Sequence, residues 1–242
     1  DNKGLKFRTS EIGKLVLHIP ASNKSIHLNV ALAHDESEST KNKRPTNQVT
    51  NLADKTKGGP RRWKSTHTLK GRLATSTFQG YVMDSITVPL KNAYNSWMRT
   101  SSLAFFPDGR LAVGTLPGDI WIVSGINDKL DKITWQRFAA GLYEPLGMKV
   151  VDGVLTAITR GRLVKLHDYN NDGEADFYEA FFNEDEPDKG WHAYNFDLEV
   201  GKDGSFYYGR TGGFSEWSVP GGVVKVSADG KTSTVIGAGL RV

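Results

Sequence analysis

Short apolar and polar runs joined by tight turns dominate the second half of the chain. The turns begin at Asp108, Asp152 and Asp203, each followed by glycine, and they lie 44 and 51 residues apart. Each Asp-Gly pair predicts a β-hairpin, because glycine readily adopts the positive φ that a tight turn needs. No segment of this half shows sustained helical periodicity. The pattern therefore predicts an antiparallel, all-β structure.

The spacing of these hairpins predicts a repeated unit. A period of roughly 40 to 50 residues made of short strands is typical of the four-stranded blade of a β-propeller. Further strand patterns at 119–123 and 222–226 supply later strands of their blades. Residues 81–242 are therefore expected to form a partial propeller of about three to four blades. Because an incomplete ring exposes strand edges, the sequence is interpreted as a fragment or processed chain.

The first 80 residues have a different pattern. Apolar and polar residues alternate at 14–19 and 26–32, which predicts two short strands, and a long polar stretch follows at 34–56. A further strand is predicted at 81–88, where a proline ends it. We therefore expect an N-terminal β-rich segment at 1–80, with a long polar loop, ahead of the propeller.

Composition and charge exclude several classes of function. The chain has 242 residues, no cysteine and a formal charge of +4. Without cysteine there are no disulfides, zinc-thiolate sites, thiol nucleophiles or covalently attached haem. The basic stretch at 55–72 is interrupted by glycine and proline, so we interpret it as a solvated loop rather than a nucleic-acid-binding surface. No stretch approaches the about 20 apolar residues that cross a bilayer.

Trp97, Trp121 and Trp135 are expected in blade interiors rather than on a substrate-binding surface.

The most specific motif is the acidic segment at 168–179, with the sequence DYNNDGEADFYE. It matches the calcium-loop pattern D-x-[DN]-x-[DN]-G-x5-E at every specified position. Calcium takes roughly six to eight oxygen ligands, which carboxylates and amides at alternate positions supply while the glycine permits the turn. The candidate ligands are Asp168, Asn170, Asp172, Asp176 and Glu179.

The flanks of this acidic segment are strand-like, which favours a calcium loop in a β-hairpin over a helical EF-hand. In such a loop Asp176 is favoured over Glu179 as a ligand, and the ion would rigidify a turn rather than act as a sensor. An Asx-rich turn without a metal is the alternative, because Asn and Asp side chains stabilise turns through hydrogen bonds to the backbone.

Several segments of the second half resemble a known family. They are NSWMRTSSL at 95–103, FFPDGR at 105–110, GDIWIVSG at 118–125 and GLYEPLG at 141–147, together with the acidic segment. They resemble bacterial extracytoplasmic proteins in which a sorbosone-dehydrogenase-like propeller is joined to a C-terminal haem-binding C-x-x-C-H domain. The resemblance covers roughly residues 80–242. That family is similar to soluble quinoprotein glucose and sorbosone dehydrogenases, which are six-bladed propellers that use pyrroloquinoline quinone (PQQ) and calcium.

The resemblance implies a site and an activity. His192, in HAYNFDL, occupies the place of the catalytic histidine of the quinoproteins, and Arg241, in GLR, resembles the arginine that they place against the quinone. His192 would remove the proton of a substrate hydroxyl while hydride passes to the quinone, and Arg241 would stabilise the developing negative charge. The implied protein is a periplasmic or secreted oxidoreductase for a sugar or another alcohol. It is six-bladed when complete and passes electrons to a haem domain elsewhere in the intact protein.

Alternatives stay open for the site and for the activity. The alternative for His192 is a structural histidine at the entrance of a strand. The alternatives for the propeller are a non-catalytic, calcium-stabilised module that binds carbohydrate or a protein partner, and a calcium-dependent lactone hydrolase. An oxidoreductase requires His192 and Arg241 to converge at one end of the central channel, whereas a binding module tolerates their separation.

Overall fold

The computed structural model describes residues 5–9, 15–24, 26, 28, 53–75, 80–183, 193–212 and 221–239. These residues form fifteen β-strands and one short 3-10 helix, Ala53–Thr56. The strands are β1 (Lys6–Thr9), β2 (Leu15–His18), β3 (Thr66–Leu69), β4 (Thr100–Phe105), β5 (Leu111–Thr115), β6 (Ile120–Ser124), β7 (Ile133–Ala139), β8 (Gly147–Val151), β9 (Val154–Thr159), β10 (Arg162–His167), β11 (Phe177–Asn183), β12 (Asn195–Val200), β13 (Phe206–Arg210), β14 (Gly222–Val226) and β15 (Ser233–Ala238).

The chain divides into two compact units, Asp1–Asp54 and Lys55–Val242. In the first unit, β1 and β2 form an antiparallel pair in which Lys6 lies opposite His18. The second unit holds the other described strands, which form three antiparallel sheets.

The three sheets of the second unit follow one another along the chain and are here called blades. Blade 1 is β4 to β7, blade 2 is β8 to β11 and blade 3 is β12 to β15, and each strand pairs antiparallel with the next. The first strand of blade 2, β8, contacts the first strands of both neighbours, β4 and β12, as the innermost strands of a propeller do. This arrangement confirms the all-β, partial propeller fold, whose blades do not close a ring within the described residues.

The three predicted Asp-Gly turns join the first and second strands of the blades. Gly109, Gly153 and Gly204 have φ values of 84°, 79° and 78°, in the left-handed region that costs glycine little. These hairpins depend on local backbone chemistry, which explains why the sequence pattern located all three.

Alternate residues of the strands fill a core between each pair of neighbouring blades. Ile122 of blade 1 and Leu166 of blade 2 belong to one core, and a second core lies between blades 2 and 3. Trp121 and Trp135 are buried on the other face of blade 1, as expected. The same expectation was wrong for Trp97, which is 65% exposed, because it lies in the connection before β4 rather than on a strand.

The chain that precedes blade 1 packs onto that blade. Strand β3, which falls inside the expected N-terminal segment 1–80, pairs with β7 as a fifth strand, with Thr66 opposite Gln136. Leu69 and Val88 pack against the buried face that contains the two tryptophans. This cover is part of the second unit, which begins at Lys55.

Blades 2 and 3 approach each other closely where their inner strands meet. A Cβ atom added to Gly147 would lie 2.3 Å from the carbonyl carbon of Asp197 and 2.4 Å from its oxygen. Such separations are shorter than any normal contact, and the opposing atoms are backbone, so they cannot swing aside as a side chain can. The spacing of β8 and β12 therefore requires glycine at this position.

Replacement of Gly147 by alanine should push the two inner strands apart. We expect Gly147→Ala to lower the free energy of unfolding by about 1 to 3 kcal/mol, the usual range for overpacking, as measured by urea denaturation. Gly237→Ala is the matched control, because a Cβ there meets no atom within 4 Å. Equal denaturation midpoints for the two variants would contradict this account of the inner strands.

Candidate functional site

The inner strands of the three blades line an open groove, here called the axial groove. Its volume is about 440 Å³, and its lining includes Ser101, Leu103, Phe196 and Asp197. Leu103 and Phe196 are 61% and 41% exposed. The groove thus offers apolar side chains beside a few hydroxyl and carboxylate groups, a combination typical of sites for small molecules.

Hydrogen bonds between blades hold the walls of the axial groove. Ser101 Oγ and Ser102 Oγ both donate to the carbonyl oxygen of Pro145, at 2.8 and 2.7 Å. On the other side of β8, the Asp197 N–H donates to the Leu146 carbonyl at 3.2 Å. These bonds connect the residues just before β8 to both neighbouring inner strands, so the groove has a defined shape.

The two residues expected to carry the chemistry, His192 and Arg241, lie outside the described residues. The residues that follow His192 are described, and Ala193 is only 3% exposed. The Tyr194 N–H donates to Thr211 Oγ1, and the Thr211 N–H donates to the Tyr194 carbonyl, both at 2.9 Å. The entrance of β12 is therefore anchored to the connection that follows β13.

The acidic segment forms a tight loop between β10 and β11, held by its own side chains. The Asp168 carboxylate accepts the N–H groups of Asp172 at 3.1 Å and Gly173 at 2.8 Å. Asn170 Oδ1 accepts the same Asp172 N–H at 3.0 Å, and Asp172 Oδ1 accepts the Glu174 N–H at 3.0 Å. Three of the predicted ligands thus lie together, each bonded to the backbone as in an Asx turn.

The other two predicted calcium ligands point to different partners. Asp176 accepts the Tyr169 N–H at 2.9 Å and the Gly59 N–H at 2.8 Å. Glu179 lies on β11 and contacts His167 Nε2 at 2.7 Å across the strand pair. Among the residues that the structure describes, no three His, Asp or Glu side chains form a group that could hold a metal ion.

Sequence reasoning missed Glu174, the carboxylate of this loop with the most extensive contacts. It is 5% exposed, and it accepts the N–H groups of Arg62 at 2.8 Å and Trp63 at 3.0 Å, together with Arg62 Nε at 2.9 Å. The hydrogen bond that the Arg62 guanidinium donates to Glu174 raises the pKa of Arg62. The feature of the sequence that could have indicated this pairing is the opposite charge of the basic stretch and the acidic segment.

The segment 58–63, here called the strap, is therefore more than the solvated loop expected from its charge. Gly59 is held from both sides, because its carbonyl also accepts Asn170 Nδ2 at 2.7 Å. At the other end of the strap, the Arg137 guanidinium lies 4.8 Å from the Trp63 ring centre. Arg137 in turn pairs with the buried Asp119 of blade 1. The strap thus links the loop of blade 2 to blade 1.

Comparison with known proteins finds similarity only among solved structures. No family model matches the chain, and no curated protein matches it. The chain is similar to a Thermus thermophilus protein described as a putative oxidoreductase (glucose dehydrogenase), with 17% identity and a TM-score of 0.42 over 54% of this chain and 45% of that one. It is also similar to the PQQ-bound aldose sugar dehydrogenase of Streptomyces coelicolor, with 15% identity and a TM-score of 0.45 over 69% of this chain and 50% of that one. The chain spans about half the length of these structures.

One further property concerns membranes. Within the described ranges, none of the helical structure is long and apolar enough to cross a bilayer.

Neutralising Glu174 should release the strap. Glu174→Gln keeps the shape of the side chain, but its amide N–H₂ faces N–H donors. We expect the free energy of unfolding to fall by about 1 to 3 kcal/mol, and trypsin to cleave faster after Arg61 or Arg62. Glu199→Gln is the control, because Glu199 is an exposed residue paired with Lys149 and such pairs contribute little. Identical stability and cleavage in the two variants would show that Glu174 does not hold the strap.

Proposed function

We propose that this chain is part of the propeller of a PQQ-dependent dehydrogenase that oxidises a sugar or another alcohol. One observation carries the proposal. Strand β12 begins three residues after His192, and Phe196 and Asp197 of that strand line the axial groove. The residue that the sequence resemblance marks as the general base is thus adjacent in the chain to the wall of the axial groove.

Chain order adds a second argument for His192 and Arg241 as partners. His192 falls in the connection from β11 to β12, and Arg241 follows β15, the last strand of blade 3. Each of the two residues follows the outer strand of a blade. In a propeller, the segments that leave the outer strands begin at the same end of the ring. The corresponding segment after blade 1 connects β7 to β8 and contains Pro145, whose carbonyl accepts a hydrogen bond from Ser102 Oγ at the wall of the axial groove.

The chemistry proposed for these residues is that of alcohol oxidation. An imidazole has a pKa near neutrality and can accept the hydroxyl proton from the substrate. An arginine is always protonated and can stabilise negative charge as it develops on an oxygen. When bound, PQQ supplies the acceptor for hydride. Leu103 and Phe196 present apolar surface that suits a flat ring or the face of a sugar.

The location and the electron acceptor belong to the same proposal. The resemblance of the sequence to extracytoplasmic proteins supports a periplasmic or secreted enzyme. It also supports a haem domain in the intact protein as the acceptor of electrons, and this chain has no cysteine with which to attach a haem covalently.

Calcium is proposed at the acidic loop on the strength of its sequence pattern. Asp168, Asn170, Asp172 and Asp176 are the proposed ligands. Their oxygens accept backbone N–H groups, so the ion has to share these oxygens or replace the hydrogen bonds. Because Asp176 also accepts the Gly59 N–H, calcium at this loop would change the contact between the strap and blade 2.

The dehydrogenase proposal predicts PQQ binding and dye reduction by the full-length protein. We expect Arg241→Ala to weaken PQQ binding at least about tenfold, since a hydrogen bond to a charged group contributes roughly 1.5 to 3 kcal/mol. We expect His192→Ala to lower the rate of dye reduction with aldoses or sorbosone by about 10² to 10⁴-fold. Quinone absorbance and dye reduction measure the two effects.

His18→Ala and Arg72→Ala are the matched controls for this experiment, and both should leave binding and rate unchanged. A folded protein that binds no PQQ would refute the dehydrogenase proposal and favour a non-catalytic propeller.

The calcium proposal predicts a thermal shift. At a calcium concentration about 100-fold above Kd, binding stabilises by about 2.7 kcal/mol, which corresponds to a rise in Tm of roughly 5 to 11 °C for a chain of this size. Asp168→Asn should abolish the rise, and Asp128→Asn, in an exposed loop outside the acidic segment, should retain it. An unchanged Tm in the wild-type protein would identify the loop as an Asx turn without a metal.

A further inference from the structure

A second groove lies between blades 1 and 2, away from the axial groove, and is here called the inter-blade groove. Its volume is about 370 Å³. Tyr143, from the connection between β7 and β8, lines one side, and Arg160, Arg162 and Tyr178 of blade 2 line the other. The two grooves share no lining residue, so the inter-blade groove is a separate site.

Arg162 provides a positive charge in the inter-blade groove that no acidic side chain of the described residues balances. Its side chain is exposed. Among the described residues, its guanidinium takes part in no ion pair and no side-chain hydrogen bond. A guanidinium presents several N–H donors in a planar fork that matches the oxygens of a carboxylate or phosphate.

Tyr178 supplies a second donor to the inter-blade groove. Its hydroxyl oxygen accepts the Ala140 N–H at 3.0 Å, which leaves the hydroxyl proton to be donated. Within the described part of the chain, that proton has no acceptor. Burial raises the pKa of the Tyr178 hydroxyl, so the group stays protonated and acts as a donor at neutral pH.

The described lining of this groove carries no acidic side chain. Glu144, which is not part of the lining, forms an ion pair with Arg160, its Oε2 lying 3.9 Å from Arg160 Nη1. The charged and hydroxyl-donating side chains of the groove are therefore arranged for a ligand that brings negative oxygens.

The remaining walls indicate a ligand with a carbon skeleton. The Tyr143 ring is 59% exposed and lies 5.9 Å from the Arg160 guanidinium. Val164 and Ala180 add apolar surface to the lining. A free inorganic anion would leave these apolar surfaces uncovered, whereas a small organic acid or a sugar phosphate would cover them.

We propose that the inter-blade groove binds a small organic anion of the sugar-acid or sugar-phosphate class, whose carboxylate or phosphate pairs with the guanidinium of Arg162 while another of its oxygens accepts the hydroxyl proton of Tyr178. Arg160 adds positive charge, and the Tyr143 ring packs against the body of the ligand. The site is independent of the proposed dehydrogenase chemistry, since it lies outside the axial groove and needs no cofactor.

Isothermal titration calorimetry without PQQ, in a buffer of low salt, tests the proposal. The probes are D-gluconate, D-glucose 6-phosphate and neutral D-glucose. We expect saturable binding of at least one anionic probe and no binding of D-glucose. The two anionic probes distinguish a carboxylate site from a phosphate site. Arg162→Gln should weaken the binding about tenfold or more, since a hydrogen bond to a charged group contributes roughly 1.5 to 3 kcal/mol.

Three further variants separate the site from general effects of charge and fold. Tyr178→Phe should also weaken the binding, and its Tm reports whether the Ala140 N–H tolerates the loss of its acceptor. Arg72→Gln removes the same charge from an exposed position outside both grooves and should bind normally. Phe196→Ala, in the axial groove, should bind normally too, which distinguishes this site from a product site of the dehydrogenase. The proposal is overturned if neither anion binds, or if Arg162→Gln binds as the wild type does.

Discussion

The close packing of the three inner strands is the constraint on which the functional surfaces of this protein depend. Glycine at position 147 lets β8 approach the backbone of Asp197, and the Pro145 carbonyl accepts two serine hydroxyls from β4. With their spacing set in this way, the inner strands form the walls of the axial groove. The cores between neighbouring blades are filled by buried side chains that include Phe138 and Tyr208.

Opposite charges stabilise the contact between the strap and the acidic loop of blade 2. The acidic loop and the strap carry opposite charges, and Glu174 satisfies three N–H donors of the strap at once. A buried carboxylate is costly unless it is paired and hydrogen-bonded, so the burial of Glu174 is explained by the strap that covers it. The acidic loop therefore has a structural role in joining two parts of the chain, whether or not it also binds calcium.

The two grooves differ in the chemistry of their linings, although the same three blades form the scaffold. The axial groove combines apolar side chains with serine hydroxyls that are already engaged and with the carboxylate of Asp197. The inter-blade groove presents donors without side-chain carboxylates among its described lining residues. The fold alone therefore does not specify one ligand. The particular side chains at each groove decide whether a neutral hydroxyl compound or an organic anion suits it.

Local features were predictable from the sequence because their causes are local. The Asp-Gly pairs predicted the hairpins, since a positive φ at glycine is a property of the turn itself, and the resulting period indicated a propeller. The pattern of the acidic segment placed Asp168, Asn170 and Asp172 in one loop, because residues two apart in a tight turn are neighbours in any fold. His192 and Arg241 were identified by resemblance and stay predictions.

Tertiary structure alone decided which distant residues meet. Glu174 and Arg62 are separated by 112 residues in the chain, and no periodicity in either segment marks them as partners. The exposure of Trp97 and the burial of Trp121 depend on which residues lie on paired strands, and the pairing of β3 with β7 depends on an open sheet edge of blade 1. The sequence by itself determined the turns, the strand periodicity and the repeat. The blade contacts, the strap and both grooves came only from packing, because contacts between residues far apart in the chain depend on the geometry of the whole fold.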